Sequence, residues 1–324
     1  MTAVVRIEVL KPGAQTQLQD LGRYGHQGLG VPVGGAMDEW SHRVANLLAG
    51  NRDEDAATLE LVLTGPSLRF GAATRIAIYG ADMAPRLNGR PLKPDRAVEV
   101  PAGALLEFGA CVAGQRAYLA VRGGFAAAPL MGSRSTYLRG GFGGFQGRAL
   151  RKGDVLEAAG QAPAPTATGP RTHPLLPSSL ARQPAGEPAW LRVMPGEHWS
   201  LFGAEAQQRL GHEAYRISPK SDRMGFRLEG APLQRLQPGE LISEAMSFGT
   251  IQVPPDGQPI VLMAERHGTG GYPKIAHVIS VDLPRLAQLA PQQALRFELV
   301  SLEAAQTLYL QREQALATLR DALP

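Results

Sequence analysis

One cysteine, five lysines and an aromatic content of 6% are what this 324-residue sequence has least of. Cys111 by itself excludes an internal disulfide, and no histidine stands at a zinc-like spacing from it. His-Glu-x-x-His is absent, so no metal site is expected. Nowhere do ~18 apolar residues run together, which argues against a membrane-spanning helix. The start, MTAVVRIEVLKPG, alternates apolar and polar residues like a strand and has no signal-type apolar block. A cytoplasmic chain with no membrane association is the expectation. The net charge is +4 and the isoelectric point about 9.4. Yet Lys11, Lys93, Lys152, Lys220 and Lys274 are far apart, and the arginines form no basic block with interleaved aromatics. A nucleic-acid surface normally needs such a patch, so no nucleic-acid partner is expected.

Glycine (38) and proline (26) are plentiful, which favours short strands and turns over long helices. The length exceeds what one hydrophobic core usually organises, so two subdomains are the default. Residues 158–189 are rich in proline and alanine and read as a linker between subdomains at 1–157 and 190–324. Strand candidates before it are RIEVL (6–10), RIAIY (75–79), AVEV (97–100), ALLEF (104–108) and AYLAVR (117–122). Pro-Ala-Gly at 101–103 reads as a tight hairpin between two of them. After the linker come WLRVM (190–194), YRIS (215–218), GFRL (225–228), IQV (251–253), IVLM (260–263), HVISVD (277–282) and RFELV (296–300). Helices are expected from an Asp38 cap to Gly50, from Ser200 to Gly211, between Pro284 and Pro291, and from a Ser301 cap to about Leu323. In the last, Leu302, Tyr309, Leu316 and Leu323 recur every seventh position as a docking face. IEVLKPG (7–13) is echoed by LRVMPG (191–196). The fold class expected is mainly β with a few helices, as two paired β-barrels.

Four segments carry polar chemistry at turns. Residues 249–278 place Glu265, Arg266, His267, Tyr272, Lys274 and His277 around a Gly-Thr-Gly-Gly turn, which lets a ligand approach the backbone. Lys274 suits a developing anion and His277 or Glu265 a proton transfer. Gln252 lies on the preceding strand, and Tyr272 either stacks on a planar ligand or packs. Residues 15–38 space Gln19, Asp20 and Arg23 with six glycines, either as an anion-binding loop in which Asp20 orients Arg23 or as a rigid turn. Residues 122–154 offer Gly140, Gly141, Gly143, Gly144 and Gly147 as a phosphate nest or as a barrel-closing turn. Gly-Lys-Ser/Thr and Gly-x-Ser-x-Gly are both missing, so neither a Walker loop nor a serine elbow is read there. Residues 218–230 set Ser221, Asp222, Arg223 and Arg227 as a carboxylate or phosphate fork or as a surface ion pair, and SEAMSFG adds Glu244.

QDLGRYGHQGLGVPVGGAMD (19–38), Asn46, TLE (58–60), GSRST (132–136), SDRMGFRLEG (221–230) and IQVPPDGQPIVLMAERHGTGGYPKIAHVISVD (251–282) occur in one order. On these the chain resembles the biotin-dependent carboxyltransferase family, subdomains A and B, over nearly its whole length. The resemblance implies cyclophilin-like β-barrel subdomains. It also implies one component of an ATP-dependent 5-oxoprolinase-type complex, which opens 5-oxo-L-proline to L-glutamate. Implied partners are a B-type protein that carries subdomains C and D and an A-type lactam-utilisation protein. ATP, with or without Mg, would be shared with them. Covalently attached biotin is not implied, since Ala245-Met246-Ser247 lacks the acceptor lysine. Two other roles stay open: a urea-carboxylase-type carboxyltransferase module, and a non-catalytic antagonist of a kinase inhibitor. The family usually has Asp-Arg-Gln-Thr-Thr-Gly-Gly-Tyr-Pro where this chain has Glu265-Arg-His-Gly-Thr-Gly-Gly-Tyr-Pro273, which touches substrate choice more than fold.

Overall fold

The structure is a computed structural model and describes residues 3–160, 187–237, 239 and 241–323. Two compact units emerge. Among the described residues the first holds 3–23, 34–160 and 314–323, and the second holds 24–33, 187–237, 239 and 241–313. This differs from a simple division at the linker at both ends of the chain. The expected linker falls, for residues 161–186, outside the described residues; residues 158–160 close a strand and Ala189 opens one.

In the first unit one antiparallel sheet runs in the order Val155–Gly160, Ala3–Lys11, Ser67–Phe70, Leu105–Glu107, Arg86–Leu87, Arg90–Pro91. The other runs Gln15–Gln19, Thr58–Val62, Ala113–Val121, Thr74–Asp82, Ala97–Val100. Side chains alternate across a strand, so Val5, Ile7 and Val9 share one face and meet Leu59, Leu61, Ile76 and Ile78 in a single core. Tyr79 and Ala77 project from the opposite face of the second sheet. Helix α1 (Glu39–Ala49) covers them with Trp40, Val44 and Leu48. Burial on both faces explains the unbroken apolar run at 76–79. Asp38 caps α1 by accepting from the Ser41 amide, and Gly50 ends it in the left-handed conformation at φ 89°. The 101–103 turn is not a hairpin: it hands the chain from one sheet to the other, because Ala97–Val100 pairs with Thr74–Asp82 and Leu105–Glu107 with Ser67–Phe70.

Seven strands close a barrel in the second unit, ordered Ala189–Pro195, Lys274–Val278, Thr250–Gln252, Ile260–Leu262, Gly225–Glu229, Tyr215–Ile217, Ala294–Leu299. Closure comes from parallel pairing of the first and last of these. Among the described residues the fold is thus mainly β with four α-helices, as expected. The segment 277–282 is strand only to Val278. Asp282 then leads into α3 (Leu283–Ala287) and grips the Arg192 guanidinium with both carboxylate oxygens. The helix expected from Ser200 begins later: a 3₁₀ turn fills Trp199–Leu201 and α2 spans Ala204–His212. Helix α4 (Leu302–Ala322) starts where Ser301 accepts from the Ala304 amide. Its heptad stripe docks only at the far end. Leu316 and Leu319 are buried against α1 within the first unit, whereas Leu302 and Tyr309 stay 55% and 43% exposed.

Candidate functional site

A bulge in the barrel builds the densest polar cluster. Thr250 pairs with His277 and Ile251 with Ala276, but Gln252 pairs with Lys274, so Ile275 is an extra residue. One extra residue breaks the two-residue alternation and lets positions 274 and 277 reach a common side. The Lys274 ammonium, nearly buried, lies 2.9 Å from Glu244 Oε2 and 3.8 Å from Glu197 Oε2 and donates to the Ala245 carbonyl. Glu197 Oε2 also lies 2.8 Å from His277 Nε2. On the other side of the imidazole, Nδ1 is 3.1 Å from Thr250 Oγ1, which is 2.9 Å from Ser247 Oγ. The Lys274 amide donates to His198 Nδ1, 3.1 Å away. Burial pushes the Glu197 carboxyl up, but its own backbone amide, His277 and Lys274 together outweigh this and hold it below the usual value. Glu244 is also held low, first by its hydrogen bond to Lys274 and then by that ammonium's charge. The cluster is therefore two ionised carboxylates bracketing one ammonium, with an imidazole tied to one of them.

Lys274, His277 and Glu244 are thus brought together as the sequence suggested, and Glu265 is not. Glu265 is buried with Arg223, 2.5 Å from its Nε, and its amide donates to the Arg223 carbonyl. That pairing ties Glu265 to Arg223, away from the Lys274 cluster. The same bond occupies Arg223. Ser221 exchanges hydrogen bonds with the backbone of Arg227, and Asp222 accepts from the Met224 and Gly225 amides. These two side chains fasten a turn, and Arg227 points to solvent from the strand that follows. Gln252 donates to the Tyr272 carbonyl and sits under Gly270. Tyr272, 48% exposed, lines a cavity of about 630 Å³ with Leu233, Arg235 and Pro254.

In the first unit the hydrogen bonds of the 19–23 loop favour the rigid-turn reading. Asp20 is fully buried. Its carboxylate accepts from the Gly22 amide at 2.8 Å, Ser133 Oγ at 2.7 Å, Ser135 Oγ at 2.5 Å and the Arg134 amide. Arg23, 1% exposed, donates to the Ser135 carbonyl and stacks 5.1 Å over Phe142. Gln19 donates to the Thr136 carbonyl. These residues lock the 19–23 loop to 133–136, and the guanidinium lies inside that lock. The glycine nest is filled by the chain itself. A Cβ at Gly143 would lie 2.2 Å from the Ser135 carbonyl oxygen, and one at Gly144 1.9 Å from Thr136 Oγ1. Beside it Glu60 accepts from the Met37 amide and the Tyr118 hydroxyl, and His42 contacts Thr58 and Asn46. Burial holds the His42 imidazole down to about 4.

Glu197, His198, Thr250 and Ser247 escaped sequence reasoning. Glu197-His198 directly follows the echoed LRVMPG, and a charged pair after a strand-ending Pro-Gly was the available signal. Among the described residues no group of three or more His, Cys, Asp or Glu side chains could hold a metal ion, and no helix is long and apolar enough to cross a membrane.

Comparison with known proteins places these features in context. The family described as carboxyltransferase domain, subdomain A and B, matches residues 29–299. The C subunit of the Haemophilus influenzae 5-oxoprolinase is 36% identical over 314 residues, 97% of each chain. That of Escherichia coli is 36% identical over 302 residues, covering 92% of this chain and 93% of the other. The crystal structure of the K. lactis urea amidolyase superposes with a TM-score of 0.88 at 30% identity, over 97% of this chain but only 20% of that one.

Proposed function

Because the chain belongs to the carboxyltransferase subdomain A and B family, we propose that it serves as the C subunit of a 5-oxoprolinase-type complex. Such a complex opens 5-oxo-L-proline to L-glutamate with ATP hydrolysis. The observation that carries this is the 36% identity spanning 97% of both this chain and a protein of that name. Lys274 is the group for negative charge: its ammonium meets the substrate carboxylate or the lactam oxygen once Glu244, 48% exposed at the side chain, swings aside. His277, held by Glu197, moves the proton that ring opening requires.

The described residues do not fit a bound nucleotide triphosphate in the glycine loop. Gly143 and Gly144 close on Ser135 and Thr136, and Arg23 is turned inward. ATP is therefore assigned in this reading to the partners, an A-type lactam-utilisation protein and a B-type protein that carries subdomains C and D. The assay is glutamate release from 5-oxo-L-proline and ATP by the three purified proteins. Release that requires this chain supports the reading, and no release from the complete set ends it. Carboxyl transfer of the urea-carboxylase type is the second reading, favoured by the TM-score of 0.88 to urea amidolyase. It requires carboxybiotin from another protein, and urea-dependent consumption of carboxybiotin distinguishes it.

A further inference from the structure

With a neutral imidazole, the hydrogen bonds of the bulge cluster run in one direction. Glu197 is ionised, so it can only accept, and His277 Nε2 must carry the hydrogen of their 2.8 Å contact. A neutral imidazole with hydrogen on Nε2 has a lone pair on Nδ1, so the Thr250 hydroxyl donates to it across 3.1 Å. Thr250 Oγ1 then has lone pairs left and accepts from the Ser247 hydroxyl across 2.9 Å. Thr250 is fully buried and Ser247 is exposed. A chain of donors thus runs from a solvent-facing hydroxyl through a buried one to an imidazole backed by a carboxylate. Ser247 also opens on a groove of about 660 Å³ whose walls include Met194, Phe248, Leu302, Tyr309 and Leu310. Three of these, Leu302, Tyr309 and Leu310, are apolar groups left 43–66% exposed on α4.

We propose that Ser247 is a nucleophile for acyl esters, activated through Thr250 and His277, and that the groove receives an apolar acyl chain. In the step, Ser247 Oγ bonds to the acyl carbon while its proton passes to Thr250 Oγ1 and the Thr250 proton passes to His277 Nδ1. The imidazolium is held by Glu197. Collapse of the adduct breaks the acyl–oxygen bond, and the leaving alkoxide takes a proton back along the same chain. Water then repeats the sequence on acyl-Ser247, so one ester and one water give one acid and one alcohol. Ser247 is the catalytic residue; Thr250, His277 and Glu197 position it and carry its proton. The titratable groups about the imidazole are Glu197 and, beyond it, Lys274, Glu244 and His198. This activity needs neither ATP nor a partner protein and does not rest on the lactam reading.

The test uses the full chain with p-nitrophenyl acetate, butyrate and octanoate, and with a fluorophosphonate probe read by peptide mass spectrometry. The expected result is probe attached at Ser247, and ester hydrolysis at least tenfold above Ser247→Ala and faster for butyrate or octanoate than for acetate. Thr250→Val should lose labelling and Thr250→Ser should recover it, a rescue that a structural defect would not give. Equal hydrolysis and labelling in the wild type and Ser247→Ala, with the variant folded by circular dichroism, would overturn the proposal.

Discussion

Asp20 offers the sharpest test of how the first unit is held together. Replacing it by alanine removes the acceptor for four donors: two hydroxyls, on Ser133 and Ser135, and the amides of Gly22 and Arg134. The hydroxyls can rotate, and Ser133 Oγ already accepts from the Ser135 amide at 3.0 Å. The two amides cannot rotate. A buried donor without a partner costs about 1–3 kcal/mol, so Asp20→Ala should destabilise the unit by roughly 2–6 kcal/mol. That is a large share of the ~5–15 kcal/mol that holds a typical domain together. At ~2–4 °C per kcal/mol for a unit of this size, the midpoint should fall by about 10 °C. Asp20→Asn keeps one acceptor oxygen and should lose about half as much. Of the three tryptophans only Trp40 lies in the first unit. Urea unfolding followed by fluorescence in a Trp190→Phe/Trp199→Phe background therefore reports that unit alone. A loss below about 1 kcal/mol for Asp20→Ala would refute the argument that these loops are held from within by one carboxylate.

Acid sensitivity should come from His42 and Asp55, with opposite signs. Burial holds His42 at about 4, so between pH 6.5 and 4 the unfolded chain takes a proton that the folded one refuses; stability falls by about 3 kcal/mol over that window and His42→Gln removes the fall. Burial raises Asp55 to about 6, so its contribution is present at low pH and lost as pH rises through 6; Asp55→Asn should raise the melting temperature at pH 7 and leave it nearly unchanged at pH 4. Among the glycines, Gly144→Ala should cost ~3 kcal/mol or more because its Cβ would strike Thr136 Oγ1, whereas Gly141→Ala, at φ 66° with nothing within 4 Å, should cost only ~1 kcal/mol; calorimetry separates them.

Much of the fold is legible in the sequence. Asp38 and Gly50 bracket α1 because capping and the left-handed stop are local, and the β-branched strands were found for the same reason. Gln15–Gln19 was missed because Gln-Thr-Gln-Leu-Gln looks solvent-facing; four of its five side chains are buried, with Gln17 Nε2 turned to Glu60. The 101–103 turn was misread because sheet membership depends on partners far along the chain. Likewise Glu197 reaches His277 only because Met194 pairs with it, 83 positions away, and the bulge at Ile275 has no sequence marker. Arg23 and Arg223 had the residue type of an anion site but not the exposure, since nearby acceptors had already claimed them. Family motifs point to segments; which side chains face outward is decided by packing.

The central claim is that the Lys274 ammonium, bracketed by Glu244 and Glu197, is this chain's contribution to the reaction of the assembled complex. The most direct measurement is kcat/KM for glutamate release by the reconstituted complex carrying Lys274→Met, with assembly checked by size-exclusion chromatography. Losing one positive contact to developing charge should lower it by about 10²–10³-fold. An assembled complex that keeps its activity within about twofold, a change too small for a lost charge contact, would contradict the account.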